Sequence, residues 1–373
     1  MDFMRKRAVF IFIISLILLF QGCKKKDGDS NDYNQGDKNI DITGVPEVSI
    51  IPDEPTPTAA AQESLEGKVR SKITGLWVAE EVGNKRPYAI QFNNYKSVSN
   101  QWGIGQADIL YEALVEGGIT RLLAIGENFT GNKIGSIRSS RHYFVSIADE
   151  YDAIYVHYGK TKYAKAKIQE TKIDNLDGEA GIGSTVFYRD KSLKAPNNAF
   201  TSLEGILAGI KSKKYDTEYD DGYEAHFTFY QVDTDLASDK IANKVTIDFS
   251  GYNTPYFIYN TEDRSYYRFQ FGAPHIDSNT KEQLNFKNII IQFVKEWDID
   301  KNGYQTMDLE DASGEGYYIS NGKMVSITWK KKEKSRWMRY YDENGQELSI
   351  NPGKTFIALF PNNRTNKVKI ENE

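Results

Sequence analysis

Two glutamates stand four apart in "EALVEGGITR". They are Glu112 and Glu116, with Gly117-Gly118 directly behind them and Arg121 beyond. On a helix this spacing puts both carboxylates on one face, and on a strand the even spacing also puts them on one side. Two like charges held close raise at least one carboxyl pKa, which keeps a proton available for general-acid work. Arg121, past the Gly-Gly turn, can fold back and hold the other carboxylate ionised. Glu112 and Glu116 are therefore the candidate catalytic residues. The competing reading is a solvated helix face, narrowed by the apolar neighbours Leu110, Tyr111, Leu114 and Val115.

A second cluster lies in "IGSIRSSRHYF", where Arg138 and Arg141 bracket Ser139 and Ser140 at an expected helix N-terminus. Free backbone N–H groups and two guanidiniums together attract anions. Arg121, Arg138, Ser139 and Arg141 are read as substrate-binding residues for a carboxylate or a phosphate. The alternative is an internal ion-pair network with Glu112 and Glu116. His157 closes the strand-like "AIYVHYG". Sites gather at the carboxyl ends of strands in α/β sheets, so His157 joins the substrate-binding set.

Asn197 and Asn198, after Pro196, read as a plain Asx turn. His275 and Asp277 follow a strand that carries Arg268. The four histidines are scattered without metal-ligand spacing, so no metal is expected. No Gly-x-Ser-x-Gly elbow, phosphate-cradling loop or dinucleotide fingerprint occurs, and no cofactor is expected.

These residues need a frame. "RPYAIQFNN" alternates as a strand does, and "QADILYEALVEGG" has helical spacing with a Gly-Gly stop. "ITRLLAIGENF" and "DAIYVHYG" read as strands, and "SSRHYFVSIADEY" and "KYAKAKIQE" as helices. A capping box at Thr201-Ser202-Leu203-Glu204 opens another helix. This alternation predicts an α/β layer over residues 71–225. From 226 to 364 the pattern changes to short β runs with hairpin signals at Asn321-Gly322 and Asn344-Gly345. The fold class expected is α+β: an N-terminal α/β layer packed with a mainly antiparallel β half, then a tail over 365–373.

The chain has 373 residues and a net charge of −5, which argues against a nucleic-acid partner. Its one cysteine, Cys23, excludes an intrachain disulfide. Residues 1–23 carry Arg5, Lys6 and Arg7, a short apolar run, and Gly22-Cys23 at the end, the order of a secretory signal. The ending resembles a bacterial lipobox, with Cys23 as the lipidated residue. Residues 24–70 are polar, acidic and proline-containing, which suits a disordered tether. The expected location is extracytoplasmic, with the body held to the membrane's outer face through Cys23.

"KRPYAIQFNN", "GQADILYEALVEGGITRLLAI", "IGSIRSSRHYF", "YDAIYVHYG" and "FYRDKSLKAPNN", in this order, resemble the YerB-like lipoproteins of Gram-positive bacteria. "YYRFQFGAPHID", "KNIIIQFV", "GEGYYISNGKMVSITWKK" and "ELSINPGKTFIALFP" resemble the later part of the same two-part domain of unknown function. The resemblance covers roughly residues 74–362 and implies a signal plus lipobox. It places Glu112, Glu116, Arg121, Arg138, Arg141 and His157 on signature positions. One departure is Pro196-Asn197-Asn198, where the family pattern has Pro-His-Asn. A lipoprotein outside a Gram-positive membrane sits beside peptidoglycan. The expectation is a glycan-cleaving enzyme of lytic transglycosylase type, with one glutamate as acid/base. The alternative is a non-catalytic module that binds wall glycan or an envelope protein.

Overall fold

Among the described residues, ten strands form one mixed sheet that takes strands from both halves of the sequence. In chain order they begin with β1 (Tyr88–Asn93), β2 (Ile109–Leu114), β3 (Thr120–Gly126), β4 (Ile154–His157) and β5 (Asn175–Asp177). A second sheet supplies β6 (Lys244–Ile247), β7 (Tyr256–Asn260) and β8 (Ser265–Gln270). The large sheet resumes with β9 (Asn288–Val294), β10 (Ala312–Ser320), β11 (Lys323–Lys331), β12 (Arg339–Tyr341) and β13 (Thr355–Pro361), and β14 (Val368–Glu371) returns to the second sheet. The large sheet runs β12-β11-β10-β9-β13-β2-β3-β1-β4-β5. β13 lies parallel to both β9 and β2, and so stitches the halves together. The computed structural model describes residues 65–98, 100–332 and 335–372. The signal sequence, Cys23 and most of the expected tether lie outside the described residues.

β1, β2, β3, β9 and β13 are buried along nearly their whole length. Strands covered on both faces read as continuous apolar runs, without the alternation of a half-exposed sheet. That explains the main correction to the sequence reading. "DILYEALV" was expected as a helix, but it is β2, paired antiparallel to β3 and parallel to β13. Leu, Ala and Glu favour helices only weakly, and central sheet pairing overrides that preference. Gly117 and Gly118 are therefore not a helix stop. Both have φ of +71°, and they turn the β2–β3 hairpin.

The helices α1 (His142–Glu150), α2 (Lys162–Thr171) and α3 (Leu203–Lys213) fall where expected. α3 is capped one residue later than predicted: Ser202, not Thr201, accepts the Gly205 N–H at 3.0 Å. The class is α+β with strands dominant, and the regular N-terminal α/β layering is interrupted by the β2–β3 hairpin. The expected C-terminal tail contributes β14, which pairs with β6. Asn321-Gly322 makes its hairpin with φ of +52° and +75°, as a type I′ turn requires.

The second sheet, β8-β7-β6-β14, packs on the large one through aromatic rings. Phe257 of β7 meets Phe356 of β13 at 4.7 Å, and Phe249 meets Phe360 at 5.4 Å. Truncating Phe356 to alanine would cost about 3–5 kcal/mol. The described residues form one compact unit. Among the described residues, no helix is long and apolar enough to cross a membrane.

Candidate functional site

β1 and β2 run parallel on either side of β3, so their carboxyl ends open on the same edge. The β2–β3 turn places Glu116 there, and Arg121 follows one step into β3. The segment after Ile134 runs beside β1, where the Arg138 N–H donates to Gln91 O at 2.9 Å, and then enters α1 at Arg141. These paths bring Glu116, Arg121, Arg138 and Arg141 around one hollow of about 490 Å³. Asn93, Tyr95, Pro196 and Asn197 complete much of its wall.

Arg141 grips Glu116 with two parallel bonds, Nε to Oε1 at 2.7 Å and Nη2 to Oε2. Burial pushes the Glu116 carboxyl up, but the bonds and charge of Arg141, with Arg121 behind, bring it below the usual carboxylate range. Glu116 therefore stays ionised at neutral pH. Arg121 is buried and donates through Nη1 to the Ser139 carbonyl. Burial and then the charges of Arg141 and Arg138 hold its guanidinium below the usual range, with Glu116 opposing. Arg138 donates through Nη1 to Asn197 Oδ1 at 2.5 Å. Three guanidiniums thus face one carboxylate. Arg121 and Arg138 each spend one N–H nitrogen on the bonds described, which leaves donor edges for a ligand.

Glu112 is not part of this hollow. It is fully buried, and Oε1 accepts from Thr120 Oγ1 at 2.6 Å, Asn253 Nδ2 at 2.7 Å and Asn94 Nδ2 at 3.1 Å. Oε2 accepts from Arg268 Nη2 at 2.7 Å. Both carboxylate oxygens are thus occupied by protein donors, away from solvent. Glu112 and Glu116 do not meet: one sits inside the sheet packing, the other on the turn beyond the strand. Ser139 lends the site only its carbonyl, which accepts from Arg121 and from Arg141 Nη1 at 3.3 Å.

His157 is likewise outside the hollow. It is fully buried, with Nδ1 on Gly159 O at 2.9 Å and Nε2 near Asn175 Oδ1 at 3.3 Å. Burial keeps the ring below its ordinary pKa despite Asp177 nearby, so it is a neutral packing histidine. Asn93, Tyr95 and Asn197 were not expected at the site. The polar run "FNNY" at the end of a strand is the signal that points to the first two. A larger hollow of about 660 Å³ lies beside Asp108 and Lys354, and among the described residues no arginine lines it. Among the described residues, no three His, Cys, Asp or Glu side chains are grouped to hold a metal ion.

Two family models match the chain: the N-terminal domain described as protein of unknown function DUF3048 over residues 73–219, and its C-terminal domain over 245–357. The chain is 31% identical over 297 residues to the Bacillus subtilis (strain 168) protein named "Putative lipoprotein YerB", covering 79% of this chain and 87% of that one. The crystal structure of the YerB protein from Bacillus subtilis superposes with a TM-score of 0.72 at 28% identity, over 82% of this chain and all of that one. Sequence, domain order and backbone agree, and the chain belongs to the YerB-like, two-part DUF3048 family.

Proposed function

We propose that this chain is an extracytoplasmic lipoprotein, anchored through Cys23, that captures an anionic group of the cell envelope in the arginine-lined hollow and does not cleave it. The observation that carries this reading is the condition of the two glutamates. Glu112 is sealed and saturated, and Glu116 is ionised under the grip of Arg141. Neither offers the proton that a glycosidic oxygen needs in a single-acid mechanism. What remains is excess positive charge with free donors, an arrangement suited to a carboxylate or a phosphate. The name of the relative supports the anchor, and wall glycan, with its muramyl and peptide carboxylates, is the partner nearest such an anchor.

The test is retention on isolated cell-wall sacculi, with soluble muropeptides measured in the same tubes. The wild-type chain is expected to sediment with the sacculi and release nothing. Arg138→Gln weakens retention by about tenfold, the loss of one charge-assisted contact. Glu116→Gln strengthens it, because it removes the competing carboxylate and frees Arg141. Muropeptide release that disappears in Glu116→Gln would reinstate the glycan-cleaving reading and end this one.

A further inference from the structure

The arginine hollow continues outward over aromatic rings. Tyr95 lines it and is 39% exposed. Its ring stacks on Tyr252 with centroids 5.7 Å apart and planes 27° from parallel. Tyr252 in turn meets Phe271 edge-on at 6.0 Å. The three rings come from separate segments: the stretch after β1, the loop before β7 and the turn after β8. Neither Tyr252 nor Phe271 is fully buried.

The loop that carries Tyr252 is held on both sides. The Tyr252 hydroxyl accepts the Lys96 N–H at 2.7 Å. Ser250 Oγ donates to Gly118 O at 2.6 Å, and Asn253 Nδ2 donates to the buried Glu112. The sealed Glu112 cluster thus fixes the ring strip relative to the β2–β3 turn that presents Glu116. Rings used only for packing gain most when fully covered. A fixed, half-covered strip leading out of a cationic pocket suits a ligand with an apolar face and a charged substituent. A pyranose ring has such a face in its axial C–H groups, and Asn93 and Asn197 in the wall suit its hydroxyls.

We propose that the captured group is the anionic substituent of a sugar, seated between Arg121 and Arg138, with the sugar ring lying across Tyr95 and Tyr252. This rests on the anion-capture reading and narrows it to anionic sugars, whether the charge is a carboxylate or a phosphate.

Calorimetry on the full chain in detergent tests it with five probes: N-acetylmuramic acid, glucose 6-phosphate, N-acetylglucosamine, lactate and inorganic phosphate. At least one anionic sugar is expected to bind about tenfold or more tighter than both its bare anion and the neutral sugar. Tyr95→Ala, at an exposed position, reduces that sugar to the level of the bare anion, and Tyr95→Phe restores it. Melting temperatures of the variants confirm that each is folded. Bare anions binding as tightly as the sugars, or a folded Tyr95→Ala with unchanged sugar affinity, would overturn the sugar assignment and leave anion capture standing. Binding of none of the anionic probes would remove both.

Discussion

Glu112 on β2 and Arg268 on β8 form an ion pair 2.7 Å long in which neither side chain reaches solvent, and they are 156 positions apart in the chain. The pair continues inward. Arg268 Nη1 donates to His275 Nδ1, and His275 Nε2 in turn donates to Gln101 Oε1 at 2.5 Å. Arginine has no acceptor, so this chain fixes the histidine tautomer. Burial, and then the Arg268 charge, hold His275 well below its ordinary pKa, so it is neutral. The line of contacts joins the two matched domains and contains no group positioned to react with a ligand.

Glu112→Gln is therefore expected to act on stability. It leaves the Arg268 charge buried and uncompensated, at a cost of about 3–5 kcal/mol. Denaturant titration measures this. A variant as stable as wild type that has lost its cellular phenotype would instead make Glu112 a functional group.

Arg138→Gln separates ligand binding from folding. In the free protein Arg138 adds to the repulsion that Arg121 and Arg141 already exert on each other. Its removal relieves that repulsion and sacrifices the bond to Asn197, so melting should change by no more than about 0.5 kcal/mol. The rise in melting temperature that inorganic phosphate gives the wild type should disappear. If the three arginines served only the fold, the variant would melt lower and phosphate would shift neither protein.

Glu127 gives a pH test away from the hollow. Burial raises its carboxyl from 4.5 to about 7, with Ser71 opposing and Asp108 adding. Below pH 4.5 it is neutral in both folded and unfolded states, and above 7 it is charged in both. Between these values the folded state binds the extra proton, so stability falls as pH rises. Glu127→Gln is expected to raise stability at pH 8 by roughly 1–2 kcal/mol, allowing for partial exposure. The gain should vanish at pH 4. Equal gains at both pH values would mean that the carboxyl does not titrate in this window.

Glu116 has the opposite sign. Its folded carboxyl lies below 4.5, so its ion pair contributes above that value and is lost as pH falls through the lower, folded one. Acid unfolding of Glu116→Gln should accordingly be shallower than that of wild type below about pH 4.5. Superimposable acid limbs would show that the Arg141 clamp adds nothing to folding.

Much of this was readable from residue order, and what was not has physical causes. Arg121, Arg138, Arg141 and Glu116 converge because strand ends and a helix entry bring short-range neighbours to one edge. Glu112 misled because its partners Asn253 and Arg268 are remote in sequence, and local spacing cannot reveal a distant counter-charge. The same blindness turned β2 into a helix: its residues suit both states, and only the flanking β3 and β13 decide. His157 does sit at a strand's carboxyl end, but Gly159 and Asn175 cover it. Asn197 lacked any local mark of its role, and Tyr95 had only the polar run before it, since the site assembles them from separate loops.

β13 is the last strand of the large sheet to be made, yet it lies in the middle, between β9 and β2. Until residue 361 is available, β2 and β9 each present a long apolar edge with unsatisfied backbone groups. Nearly the whole polypeptide must therefore be present before the interior can close, which makes folding a slow, late event dominated by distant contacts. A nascent or truncated chain ending before β13 would be a target for chaperones and proteases, and splitting the protein between its two matched domains would yield two sticky fragments rather than two working parts.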